Sequence, residues 1–185
     1  LGTNYIIRGL LLYQTNAIYV KGVPDWFYDL SNTKLLNGYI STNTVVFVVL
    51  IAIFVFIMKK TRFGRQCYAI GSNYEAARLS GIKTDRHIIK VFIFEGVVAA
   101  IAGVLLMSNL NVGAPAEGVG LDLLALAGAI MGGTWFSGGV GTIGGAMAGI
   151  LTIRVFQSGL AVMGTNSFLQ QTVTGAIIVL AIIID

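Results

Sequence analysis

Two ionisable residues stand well inside long apolar runs: Glu95 within residues 88–107, whose inner end also carries Lys90, able to snorkel, and Arg154 near the centre of residues 143–163. Charge at such depth is costly and is kept where it serves a pathway, a switch or an anchoring contact. Neither has a neighbour that would make it a catalyst. The chain has one histidine, His87, and one cysteine, Cys67. No Cys, His, Asp and Glu cluster has metal-ligand spacing, and nothing reads as a nucleophile beside a base. His87 reads as a surface residue at a loop end, and Cys67 as a small semi-buried one with no internal partner for a disulfide. Gly139-Val-Gly141-Thr-Ile-Gly144 matches G-x-G-x-x-G. No strand–helix–strand context surrounds it, and no Asp or Glu follows before Asp185, so a nucleotide site is rejected. No G-x-x-x-x-G-K-[ST] occurs either. Nothing here points to covalent chemistry by this chain. The chain is expected to hold no metal and no cofactor, with any ATP and Mg bound by another subunit.

Ser72-Asn-Tyr-Glu75 has the spacing of a capping box, with Ser72 accepting from a helix N–H and Glu75 reaching back. Ala76, Ala77, Arg78 and Leu79 favour helix, and Gly81 supplies a left-handed end. The expectation is a helix of about two turns, too short to stand alone in water and so in need of a packing partner. It lies in residues 59–90, which hold eight of the twelve Lys and Arg residues. A basic loop between two spans faces the cytoplasm by the positive-inside rule. A capped helix there is suited to receive force from a soluble partner.

The elements that hold these residues are membrane spans. The chain is 56% hydrophobic and 11% charged, against about 25% charged in soluble domains. Its net charge of +4 is concentrated in the one loop, which argues for membrane orientation over nucleic-acid binding. Spans are expected at 39–58, 88–107, 143–163 and 168–184. Residues 21–38 read as an outer interfacial segment and 109–120 as a polar outer connection. Between Gly132 and Gly145 stand seven glycines in fourteen residues, a poor continuous helix that suits a broken or re-entrant element, or else a simple turn between full spans. Gly141, Gly145 and Gly149 form two overlapping G-x-x-x-G steps, a close-packing face. On that spacing Gly145→Leu should be disruptive and Gly138→Ala mild. The fold class is all-α, a polytopic transmembrane helical bundle with a Gly-rich broken or re-entrant segment. A chain beginning at Leu1 is read as part of a longer one.

Glu75-Ala76-Ala77-x-x-x-Gly81 matches the opening of the EAA loop of bacterial ABC importer permeases; the Ile-x-Leu-Pro that completes that motif is absent, with Val91-Phe-Ile-Phe in its place. GRQCYAIGSNYEAARLSGI, GGTWFSGGVGTIGGAMAG and FLQQTVTGAIIVLAIIID, in that order, resemble the ribose/xylose/galactoside-type ABC permease family over essentially the whole chain. The resemblance implies that residues 1–185 are the C-terminal part of a multi-pass inner-membrane permease for a monosaccharide, a pentose or hexose. It implies an ABC ATPase subunit, a second permease subunit in a homo- or heterodimer, an extracytoplasmic sugar-binding protein and surrounding membrane lipids. Residues 59–90 would be the cytoplasmic coupling loop, with Glu75, Ala76, Ala77, Arg78 and Gly81 against the ATPase. Asn109, Asn111 and Thr134, toward the outer end, and Arg154 are assigned to the sugar route on their hydrogen-bonding capacity. The alternatives are a permease for branched-chain amino acids or nucleosides, and an ion-coupled secondary transporter with Glu95 as proton carrier.

Overall fold

A backbone in hydrocarbon must satisfy its own hydrogen bonds, so long apolar runs become helices. The computed structural model describes residues 2–35, 40–166, 169–170, 172–176 and 179, and follows that rule. The helices are α1 (Gly2–Thr15), α2 (Asp25–Asn32), α3 (Thr42–Lys60), α4 (Arg62–Ser72), α5 (Tyr74–Leu79), α6 (Thr84–Leu110), α7 (Leu121–Met131) and α8 (Ile143–Val162). Among the described residues the only strand pair is a two-residue antiparallel ladder, Lys34 with Ser41 and Leu35 with Ile40. The chain is all-α. Among the described residues three helices, α3, α6 and α8, are long and apolar enough to cross a membrane. Most of the span expected at 168–184 lies outside the described residues, as do 36–38 of the interfacial segment.

The chain divides into two compact units. The first comprises Leu1–Ile51 and Ile88–Val119. Its polar centre is a pair of buried serines. Ser108 Oγ donates to the carbonyl of Phe27 at 2.5 Å, and Ser31 Oγ donates to Asn43 Oδ1 at 2.7 Å. Both serines are buried, and both are small enough for α2 to lie close on the end of α6. Val20 and Gly113 form a backbone bridge, each N–H donating to the other's carbonyl at 2.9 Å.

The second unit comprises Ala52–His87 and Gly120–Asp185. Its buried apolar side chains include Ala127, Ile130 and Ile153 of the α7–α8 pair. With 11 residues, α7 is about 16 Å long, roughly half of a bilayer core. The Gly-rich segment does break the helix: α7 stops at Met131 and α8 starts at Ile143, capped by Thr142 Oγ, which accepts from Gly145 N–H at 3.0 Å.

The basic loop holds more helix than expected. Lys59 and Lys60 end α3, and Thr61 then caps the amphipathic α4. Gly64 allows the turn, because a Cβ there would overlap the Met58 backbone. The spacing of Phe63, Cys67 and Ile70 fits one face of this helix, which was not anticipated from the sequence.

Candidate functional site

The short helix of the basic loop is α5, and its cap is Asn73 rather than Ser72. Ser72 is the last residue of α4; Asn73 ends that helix and opens the next, its side-chain oxygen accepting from Ala76 N–H at 2.9 Å. Two adjacent helices share one extended residue, so the reciprocal box has no room to form. At the other end Gly81 takes φ +84°. Gly81 N–H donates to Arg78 O at 3.0 Å and Ile82 N–H to Ala77 O at 3.2 Å, which is the Schellman pairing. Tyr74 Oη donates to Asp85 Oδ1 at 2.8 Å, tying α5 to the start of α6.

This closure sorts the expected contact residues. Glu75, Ala76, Arg78 and Gly81 are exposed, whereas Ala77 is buried at 4% exposure and packs inward, so it cannot meet a partner. Leu79, which the sequence reading used only as a helix former, is 87% exposed. It stands on the outward side of a helix closed at both ends, beside exposed Glu75 and Arg78.

Against α4 lies the Gly-rich loop. Tyr68 Oη donates to the carbonyl of Gly141 at 2.9 Å. A Cβ at Gly71 would overlap Gly139 N, and one at Gly139 would overlap Ser72. Gly138 has φ +88° and its Cβ position is 3.4 Å from Gly71. Gly138→Ala is therefore strained, not mild: the G-x-x-x-G spacing carried no information about a left-handed backbone. Gly141 also departs from expectation. It precedes the cap of α8 and abuts Thr134, so only Gly145 and Gly149 form a helical step. Their partners are Gly128 and Gly132 of the α7 end: added Cβ atoms at Gly145 and Gly149 would overlap the carbonyls of Gly132 and Gly128. That second step, Gly128-x-x-x-Gly132, was readable from the same spacing.

Thr134 sits in this loop, beside Gly141 in an open cleft of about 350 Å³ that Cys67, Tyr68 and Met58 also line. It is therefore at the basic-loop end, not toward an outer end. Its assignment to the sugar route rested on hydrogen-bonding capacity alone, which carries no information on position. His87 is not a surface residue: it is buried, its ring 4.7 Å from Phe63 and its Nε2 3.1 Å from Cys67 Sγ. Burial pushes the Cys67 thiol pKa up, with a backbone hydrogen bond opposing. Among the described residues no cluster of three or more His, Cys, Asp or Glu could hold a metal.

In the first unit Asn109 lines an open groove of about 560 Å³ with Asn43, Thr44, Phe47, Ala102 and Leu105. Two amides, a hydroxyl and one ring face are groups that bind a polyhydroxylated ring. Asn43, Thr44 and Phe47 carried no motif, since nothing in α3 marks which face meets α6. Asn111 follows the end of α6 with φ +54°, the left-handed position that Asn tolerates and that closes a helix. Arg154 is exposed on α8 and donates from Nη1 to Gln157 Oε1 at 3.4 Å; Gln157 Nε2 donates to Thr174 Oγ1 at 3.1 Å.

Residues 1–182 match the family described as "Branched-chain amino acid transport system / permease component". The chain is 38% identical to the "Probable ABC transporter permease protein YphD" of Escherichia coli strain K12, over 99% of this chain and 54% of that protein. It is 36% identical to the L-arabinose ABC transporter permease protein AraH of Azospirillum brasilense, over 97% of this chain and 52% of that protein. It is 40% identical to the xylose transport system permease protein XylH of Escherichia coli strain K12, over 82% of this chain and 39% of that protein. The chain thus spans about half or less of each of these relatives. No solved structure matches it.

Proposed function

The chain belongs to the family of branched-chain amino acid transport system permease components, a family of membrane proteins, and from that membership we propose that it is part of the membrane-spanning permease subunit of an ATP-driven importer for a monosaccharide. The observation that carries the reading is similarity over 97% of the chain to a permease named for L-arabinose and over 82% to one named for xylose. The capped α5, offering Leu79, Glu75 and Arg78 outward, supports a docking role toward an ATPase. In this reading residues 59–90 face the cytoplasm and the chain is the C-terminal part of a longer inner-membrane permease. A second permease subunit and an extracytoplasmic sugar-binding protein complete the assembly. ATP and Mg belong to the ATPase, and this chain does no covalent chemistry. The groove at Asn43, Thr44, Phe47 and Asn109 is the part of the sugar route we assign here.

The test uses the full-length permease with its ATPase and binding protein in proteoliposomes. Radiolabelled L-arabinose, D-xylose, D-ribose, D-galactose and L-leucine are offered with and without ATP. ATP-dependent uptake of a sugar is expected. ATP-dependent uptake of leucine alone would return the reading to the solute of the family description, and uptake driven by an ion gradient without ATP would overturn the importer class. Orientation is read from Leu79→Cys, at an exposed position of the loop, in a chain whose Cys67 is replaced. It should react in intact cells only with a membrane-permeant maleimide, and labelling by an impermeant one would reverse the topology.

A further inference from the structure

Three consecutive contacts join the docking helix to the half-length helix pair. Asn73 is the common end of α4 and α5, so the two helices are connected through one capped residue with no slack between them. Tyr68, Gly71 and Ser72 lie at i, i+3 and i+4 of α4, hence on one face. All three meet the Gly-rich loop, Tyr68 through its hydrogen bond to Gly141 O at 2.9 Å and the others by backbone approach to Gly138 and Gly139. The loop in turn joins α7 and α8, which are interlocked through the carbonyls of Gly128 and Gly132. The Ser72 hydroxyl is also close to Gly139, but Gly71 meets the backbone of Gly139, and Gly145 and Gly149 meet the carbonyls of Gly132 and Gly128, so these contacts are backbone on backbone. Such a contact has no side-chain rotamer to absorb a displacement, and a packed interface of this kind shifts as a body.

We infer that Tyr68, with the Gly71–Gly139 contact, is the positioning element that carries a displacement of α5 into the α7–α8 pair. The inference rests on the docking role proposed for α5. Tyr68 supplies a directional link: its phenol fixes the register between α4 and the strand of backbone entering α8, while the glycines fix only the distance. A purely packing role would need the ring alone, and the ring is retained in phenylalanine.

The experiment compares wild type, Tyr68→Phe, Gly139→Ala and Gly144→Ala in the full transporter in proteoliposomes, with L-arabinose and D-xylose as probes. ATP hydrolysis stimulated by the binding protein, sugar taken up per ATP, and melting temperature are measured on each. Gly144 is the control, since a Cβ there meets nothing within 4 Å. Tyr68→Phe should keep its melting temperature and its stimulated hydrolysis while uptake per ATP falls about fivefold, the leverage of one ordinary hydrogen bond on a two-state equilibrium. Gly139→Ala, which wedges the loop off α4, should uncouple in the same sense, and Gly144→Ala should match wild type. Wild-type uptake per ATP in Tyr68→Phe overturns the inference. Parallel loss of melting temperature, hydrolysis and uptake also overturns it, because it reports a structural contact only. Absence of ATP-dependent uptake of either sugar by the wild-type complex fails the sugar reading itself, not the link.

Discussion

Gly132 at the end of α7 and Gly145 in the first turn of α8 meet backbone to backbone, so that a Cβ on either would overlap the carbonyl of the other. Small residues at a helix contact let the chains approach where bulk would part them. Gly145→Leu is expected to cost about 1–3 kcal/mol, as overpacking does in other close-packed interiors. It should appear as a lowered melting temperature of the full-length permease in detergent. Gly144→Ala, one residue away in open space, should melt at or slightly above the wild-type temperature. Equal melting of the two variants would show that Gly145 makes no close contact.

Gly81 closes α5 at φ +84°. A side chain in the left-handed region costs roughly 1–2 kcal/mol, and Asn pays least of the non-glycine residues. Gly81→Leu should loosen the turn between α5 and α6, seen as faster proteolytic nicking of the loop and weaker stimulation of the partner ATPase. Gly81→Asn should lie close to wild type in both. If Asn and Leu are equally damaging, the φ angle is not the cause. If both are silent, the closure of α5 does not matter to docking.

The fold was legible where the signal was long. Runs of uniform hydropathy marked α3, α6 and α8, because only helix satisfies such a backbone in lipid, and dense glycine marked the break before α8. The site was legible only in part. Gly81 announced itself by position, since a helix-forming run that stops at glycine has few other meanings. Ser72 misled because two caps compete for one junction, and the winning Asn73 is decided by how α4 packs. Ala77 and Leu79 differ in nothing local; burial of one and exposure of the other are set by where α4 and α6 lie. The same holds for Thr134, whose place depends on α7 being half a span, and for Asn43, which shares a groove with Asn109 only through the tertiary fold.

Cys67 provides a pH-dependent report on α4. Its thiol is desolvated and so titrates above its ordinary value, with His87 Nε2 3.1 Å away. A thiol whose folded pKa lies above its unfolded one keeps its proton longer when folded. The stability it contributes is complete below the unfolded value of about 8.5 and is lost as pH rises through the folded one. The thiolate is the reactive form. Alkylation of Cys67 by iodoacetamide should therefore have its pH midpoint displaced upward in the folded permease relative to the same chain in denaturing detergent. Coincident midpoints would mean that α4 does not shield the sulfur.

Arg154 donates to Gln157 at 3.4 Å, and Gln157 passes the link on to Thr174, whose hydroxyl donates to Gln170 O at 2.8 Å. The guanidinium is thus the head of a polar chain running from α8 toward residues 170–174. A mid-span arginine costs about 3 kcal/mol to insert on translocon scales, and it cannot shed its charge. Arg154→Leu removes that cost, so the membrane level of the permease should hold or rise. If the charge serves the sugar route or the switch between states, uptake should nevertheless fall about tenfold, the scale of one lost hydrogen bond to a charged group. Gln157→Ala removes the relay but leaves the charge, and should fall less. Arg154→Lys separates charge from geometry: recovery of uptake assigns the role to charge, and continued loss assigns it to the planar fork. Wild-type uptake in Arg154→Leu at an unchanged membrane level would remove Arg154 from the transport pathway and leave it an anchoring residue of α8.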